Sequence, residues 1–394
     1  MALQSLENNK NNLKEKENLV FYEIDKGTSI DEKDASNVNL KGISYFYGID
    51  TSINYKKAYE YFHQLNQESK LYLKESQLFL GQMYYKGLYV HQSYKKAIEY
   101  FKLAAKNGSV KAYYFLGEIA ENKILDEEDK DKSYDDVAYN YFQQSANLGL
   151  SEAYAKIGLI LEQGLLSTMQ DLGKAAQAFK KSVDIDENPI GLNGLGNAYY
   201  EGKICEKSYQ QAFDYYDKAI RLGNIDALNN AGICYEYGLG TDKNKEKALE
   251  LYKRGMEKYH GEAMANYAIL KIKNAISSGN YECFSECLKI LFYASLSRKN
   301  NSDIYYYIGI IYELGIDLFN DNNIIKNSYL AFVHYKKAGQ LGSSKALTKL
   351  GICLYNGIEG VIPVNKKASE ELLEKAVNLG DKEAEKYLKF IQGQ

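Results

Sequence analysis

The chain has 394 residues, 45% of them hydrophobic, too many for one compact core and enough for a fold built from several parts. Its 49 Lys and Arg nearly cancel its 52 Asp and Glu, for a formal net charge of −3, so no global basic field exists to recruit nucleic acid or an anionic membrane. Five cysteines, Cys205, Cys234, Cys283, Cys287 and Cys353, are odd in number and irregularly spaced, which suits reduced thiols better than a disulfide framework.

In chain order, Met1 to Asn18 is polar, rich in Asn, Lys and Glu, and lacks the apolar stretch of a secretory signal. No apolar run approaches the ~18 residues of a membrane span, and the expected location is cytoplasmic. Residues 1–10 are expected to be disordered. Asn11–Lys26, with Leu13, Leu19, Val20 and Ile24 ahead of Gly27, is expected to form a capping helix, so that 1–35 is a polar tail and cap.

A register of glycines then begins. Gly42, Gly81, Gly117, Gly158, Gly196, Gly232, Gly309 and Gly351, with Ala268 in the seventh place, stand 36 to 42 residues apart. A second glycine follows six residues later at Gly48, Gly87, Gly164, Gly202, Gly238, Gly315 and Gly357; Lys123 and Asn274 are the exceptions. An alanine comes next, at Ala58, Ala97, Ala175, Ala212, Ala248 and Ala368, and later at Ala138 and Ala331, where Ile124–Tyr134 and Ile316–Tyr329 are inserted. An aromatic often stands four residues beyond it, as in Phe101, Phe142, Tyr216 and Tyr335.

This pattern predicts two helices per unit. A mid-helix glycine costs ~1 kcal/mol against alanine, so a repeated one implies close approach of a partner backbone or ring where the Cβ is missing. The second glycine suits the left-handed position that ends a helix, a conformation Asn274 can adopt and Lys123 cannot adopt cheaply. Gly108, Gly149, Gly223, Gly342 and Gly380 end the second helices by the same rule. Each pair has an apolar side it cannot hide alone, so the pairs must stack. Tyr45, Tyr84, Tyr199, Tyr235 and Tyr312, three residues past their anchors, are expected in the core.

The phrase A-x-x-x-L-G-x-x-Y-x-x-G followed by D/N-x-x-K-A-x-x-x-Y/F-x-x-A-A-x-x-G resembles the Sel-one-like repeat family, close relatives of tetratricopeptide repeats. Ser76–Gly108 matches it best. The resemblance implies an all-α fold, a right-handed α-solenoid of about nine stacked helix-turn-helix repeats over residues 36–380. The units are expected at 36–72, 73–109, 110–149, 150–187, 188–223, 224–260, 261–300, 301–342 and 343–380, with 381–394 a C-terminal capping helix. Unit 261–300 departs most, with Phe284 where alanine is expected.

The resemblance further implies a scaffold or adaptor, since relatives act in endoplasmic-reticulum-associated degradation and in chitin-synthase activation. By analogy with them, the first helix of each pair lines a concave wall. The face opposite the core then holds the third residue before each anchor and the first and fourth after it. Among these are Tyr85, Tyr114, Glu118, Asn193, Asn197, Tyr200, Asn229, Ile233, Glu236, Tyr306, Ile310 and Glu313. Tyrosine is enriched in binding hot spots, and Asn193 and Asn229, at equivalent places, suit the backbone of an extended peptide. The expected partner is therefore a protein or peptide, held by a monomeric chain that needs no metal or cofactor and performs no catalysis.

Two alternatives keep the same fold: a regulatory subunit of a membrane or cell-wall synthase, and a thiol- or metal-dependent enzyme. The four histidines form no HExxH pattern, and no Walker loop, GxSxG elbow or dinucleotide fingerprint occurs. Cys283 and Cys287 share a helix face, but two thiols are a thin basis for zinc. Nucleic acid is disfavoured because Glu118, Glu121, Glu236 and Glu313 on the expected wall repel phosphate.

Overall fold

Polar caps set the second helices. Asn54, Ser93, Asp171, Ser208, Asn244, Asn327 and Asn365 each accept, through the side chain, the backbone N–H three residues on. Such a bond satisfies one of the donors left over at a helix start, so each cap fixes where the chain turns from loop to helix. A computed structural model describes residues 32–124, 131–164, 170–202, 206–298, 300–315 and 326–393. The expected helix Asn11–Lys26, Cys205, and most of the two inserted stretches lie outside the described residues.

The described residues form helices and a single isolated β-bridge, Ile358 to Ile362. They divide into two units, one ending at Glu206 and one beginning at Lys207. The first contains α1 (Glu32–Tyr47), α2 (Tyr55–Glu68), α3 (Leu73–Lys86), α4 (Tyr94–Lys106), α5 (Val110–Glu121), α6 (Tyr134–Asn147), α7 (Ser151–Gln163), α8 (Leu172–Asp186) and α9 (Pro189–Glu201). The second contains α10 (Tyr209–Arg221), α11 (Ile225–Tyr237), α12 (Lys245–Glu257), α13 (Gly261–Ser278) and α14 (Phe284–Ser297). It continues with α15 (Ser302–Leu314), α16 (Ser328–Gln340), α17 (Ser344–Asn356), α18 (Lys366–Asn378) and α19 (Lys382–Gln392).

Each unit is an all-α repeat solenoid. In the first, α1 packs on α2, α3 on α4, α5 on α6 and α7 on α8, and each pair stacks on the next. In the second the pairs are α11/α12, α13/α14, α15/α16 and α17/α18, with α19 laid on α17 and α18. First helices of neighbouring pairs also touch directly: α7 and α9, α11 and α13, α13 and α15.

The anchor glycines face the ring of the second helix. A Cβ added at Gly81 would sit 2.6 Å from Phe101, at Gly117 2.6 Å from Phe142, at Gly232 2.5 Å from Tyr252 and at Gly309 2.5 Å from Tyr335. Those four rings are fully buried. The missing Cβ is the space the ring occupies, which is why glycine recurs in mid-helix despite its propensity cost.

Several expectations need correction. Lys123, not Asn274, takes the left-handed conformation, with φ 61° at the end of α5. Helix α13 runs straight through Asn274 to Gly279 (φ 72°), about one turn longer than its counterparts. The second helix is therefore displaced, and Cys287, not Phe284, fills the alanine slot: it is buried four residues before Leu291 and seven before Ala294, both also buried. In the last pair the slot belongs to Ser369 rather than Ala368, and its hydroxyl donates to the Gly351 carbonyl at 2.7 Å.

Of the five tyrosines expected in the core, Tyr84 is buried, whereas Tyr45, Tyr199, Tyr235 and Tyr312 are half-buried. The core slot goes to the second-helix ring, and most of the tyrosines three past the anchor stay partly solvated. Tyr45 stacks on Tyr61 (5.9 Å, 8°) beneath Lys57, and Tyr84 on Tyr100 (5.6 Å, 8°) beneath Lys96. A half-solvated aromatic surface is where a cation–π contact with lysine is expected.

Candidate partner-binding face

None of the twelve residues expected on the concave wall is exposed. Asn193, Asn229, Glu236 and Ile310 are buried, and Tyr85, Tyr114, Glu118, Asn197, Tyr200, Ile233, Tyr306 and Glu313 are half-buried. The reason is geometric. In the second unit, neighbouring first helices pack on one another through the same stripe that a single pair would present to solvent.

In the first unit, Tyr85 on α3 reaches the next pair: its hydroxyl accepts from Asn122 Nδ2 at 3.1 Å, and its ring lies 6.5 Å from Phe115. Burial raises its hydroxyl's pKa, and the nearby Glu118 carboxylate adds to the rise. On α5, Tyr114 sits 5.5 Å from Phe142 and beside Glu118. Burial holds the Glu118 carboxyl above the ordinary carboxylate range, even with Lys156 close by. Lys156 on α7 instead pairs closely with Glu121, at 2.6 Å. Asn193, Asn197 and Tyr200 all lie on α9.

In the second unit the stripe is a set of internal locks. Asn229, 2% exposed, accepts from Asn266 Nδ2 of the next first helix at 2.9 Å. Glu236 accepts from the Tyr252 hydroxyl of its own pair at 3.0 Å and from Lys273 Nζ of the next at 2.9 Å. Glu313 repeats the arrangement, accepting from the Tyr335 hydroxyl and from Lys349 Nζ at 2.9 Å. Tyr306 lies 5.8 Å from the Tyr335 ring, and Ile233 packs beside Tyr252 and Leu270. A carboxylate bonded to a buried phenol and a lysine on the neighbouring pair ties ring, anchor helix and next repeat together.

Sequence reasoning assigned Glu236 and Glu313 to a partner and missed these locks. The signal was present: Glu121 and Lys156, Glu236 and Lys273, and Glu313 and Lys349 are each separated by about one repeat. It also missed the residue that does emerge, the fifth after the anchor, at Tyr47 in the first unit and Tyr237 and Leu314 in the second. Tyr237 carries Lys273 Nζ 5.8 Å over its ring.

The thiols are set back from chemistry. Cys287 is buried and Cys283 half-buried; burial raises the Cys287 thiol pKa and pushes that of Cys234 up to about 12. A thiol so shifted carries little of the reactive thiolate at neutral pH. Among the described residues no group of three or more His, Cys, Asp or Glu side chains is placed to hold a metal ion, and no helix is long and apolar enough to cross a membrane.

The model of the Sel1 repeat matches residues 42–65, 74–109, 110–150, 151–184, 189–224, 225–259, 304–343 and 344–381, well over half the chain. This chain belongs to the Sel1 repeat family. The break in the matched Sel1 repeats, between 259 and 304, falls on the pair α13/α14 with its displaced register. Among curated proteins the chain is 28% identical over 120 residues to the Arabidopsis thaliana ERAD-associated E3 ubiquitin-protein ligase component HRD3B, covering 30% of this chain and 18% of that one. It is 28% identical over 91 residues to the Saccharomyces cerevisiae chitin synthase regulator SKT5, covering 23% and 13%. The chain thus spans less than a fifth of the length of these two relatives. Among solved structures, c5321, a protective antigen of uropathogenic Escherichia coli with an SLR fold, superposes with TM-score 0.60 at 21% identity, covering 91% of this chain and 72% of the other. That likeness concerns the fold. Sel1 repeats are protein-interaction scaffolds, and these relatives include a ligase component and a synthase regulator.

Proposed function

We propose that this Sel1-repeat chain is a non-catalytic adaptor that holds a protein or extended peptide partner along the C-terminal ends of its first helices. The observation that carries the reading is the residue set that emerges there. Tyr237 is exposed beside the half-buried Ile233, and the half-buried Tyr85 stands beside the exposed Asn122. A tyrosine whose ring and hydroxyl are both held by neighbours, as Tyr85 is by Asn122 and Tyr237 by Lys273, gives large contact area at low entropic cost. Glu118, Glu313 and Ile310 then act mainly beneath that surface, supporting it. The names of the ligase component and the synthase regulator favour a second form of the same reading, in which the partner is an enzyme that the chain regulates.

The test is quantitative affinity purification from the source cells with wild-type chain and with Tyr85→Ser and Tyr237→Ser separately. Loss of the same specific proteins in a variant whose circular dichroism is unchanged is expected. Undiminished recovery of every protein in both variants would remove the first-helix reading.

A further inference from the structure

Repetition supplies an internal reference for which positions face water. On the second helices the first, second and fifth residues after the buried ring point away from the partner helix. They are Lys180, Lys181 and Asp184 on α8, Lys253, Arg254 and Glu257 on α12, and Glu374, Lys375 and Asn378 on α18. In the other second helices outside α14, Leu103 of α4 is the single apolar occupant of these positions. On α14, whose ring slot is Leu291, all three are large and apolar: Phe292 is 42% exposed, Tyr293 66% and Leu296 70%. The fold does not require three of them there, because every other pair closes its core with at most one apolar residue at those places.

Their surroundings are basic. Lys289 precedes Phe292 by three residues and shares its face of α14. The Phe292 ring meets His334 of α16 at 6.1 Å; His334 stacks on Tyr305, and Lys337 Nζ lies 5.9 Å over that ring. Nearby carboxylates are engaged, Glu286 by Lys271 at 2.7 Å and Glu262 by Arg298 at 3.1 Å. Lys289, Lys336 and Lys337 form no ion pair among the described residues. An apolar strip little more than one helical turn long, bordered by cations that form no ion pair among the described residues, is complementary to one kind of occupant.

We infer that the outer face of α14 docks an amphipathic helix of a partner protein, apolar along one side and flanked by Asp or Glu. Phe292, Tyr293 and Leu296 supply the buried anchors, and Lys289 with Lys337 orients the acidic flanks. This face is separate from the first-helix residues of the proposed function, so either can fail without the other.

The probe is a labelled synthetic helix of about 18 residues, five turns, with Leu and Phe on one face and Glu on the other. A second peptide carries Lys in place of Glu. Binding to the full chain is read by fluorescence anisotropy. Replacing the strip with the α12 residues, F292K/Y293R/L296E, restores the repeat's own pattern and leaves folding intact by circular dichroism. That variant is expected to weaken Glu-peptide binding by about tenfold or more, the scale of lost hot-spot anchors. Lys289→Glu with Lys337→Glu should weaken the Glu peptide and favour the Lys peptide. Absence of Glu-peptide binding, or equal binding by the strip variant, overturns the inference. So does a wild-type dimer in sedimentation that the strip variant abolishes, since the face would then belong to a second copy.

Discussion

Gly81 lies in the middle of α3 with ordinary helical geometry, so backbone freedom is not what the position demands. What it lacks is room: the Phe101 ring occupies the space of a Cβ, and that ring is itself held against Phe115 at 5.0 Å and 10°. Two effects oppose each other in Gly81→Ala. Helix propensity favours alanine by ~1 kcal/mol, whereas overpacking a full core costs about 1–3 kcal/mol. The fully buried ring cannot swing aside, so overpacking wins, and a net loss of up to ~2 kcal/mol is expected in urea unfolding. Gly173, near the start of α8, is the control, because a Cβ there would meet only Asp171 Oδ1 at 3.6 Å. Gly173→Ala should be neutral or stabilising by up to ~1 kcal/mol. Destabilisation of both variants alike would mean that the anchor glycines serve something other than ring packing.

At the level of helix pairs, glycines were readable because each reports a local contact inside its own pair. Where the glycine register broke, the sequence misled: Asn274 suited a helix end and Phe284 fell at the alanine position, yet α13 continues to Gly279 and displaces the next helix so that Cys287 takes the alanine slot. The stripe was harder. Position along one helix separates the faces of a pair, but it does not say that the following pair covers one of them, so buried Asn229 and Glu236 read as surface. Only a correlation across one repeat, Glu236 with Lys273, carries that information. The lock predicts an asymmetry. Lys273→Met leaves the buried Glu236 carboxylate uncompensated, and with Lys273 partly solvated the expected loss is ~2 kcal/mol. Glu236→Gln keeps an acceptor for the Tyr252 hydroxyl and removes the charge that needed the lysine, so it should cost clearly less. Paired urea titrations of the two variants measure this, and equal losses would contradict a lock centred on the buried carboxylate.

For the molecule as a whole, stability in a stacked array is a sum of pair and neighbour terms, so damage at one end should stay near that end. Helix α19 gives a clean place to test this. Its sole buried residue is Ala384, with Leu388 and Ile391 packed against the core and Phe390 exposed. Asp381 joins it to α17 by accepting from Thr348 Oγ1 at 2.7 Å while also capping α19 through the Glu383 N–H at 2.9 Å. Removing residues 381–394 uncovers Thr348, which is nearly inaccessible in the intact unit and bonded to Asp381. Hydrogen exchange followed by mass spectrometry should then show protection lost in α17 and α18 and kept in α11 and α12, because local opening follows the contacts that were removed. A uniform loss across α10 to α18 would instead mean that this unit unfolds as one cooperative block, with the carboxylate locks between pairs coupling it more strongly than nearest-neighbour stacking alone.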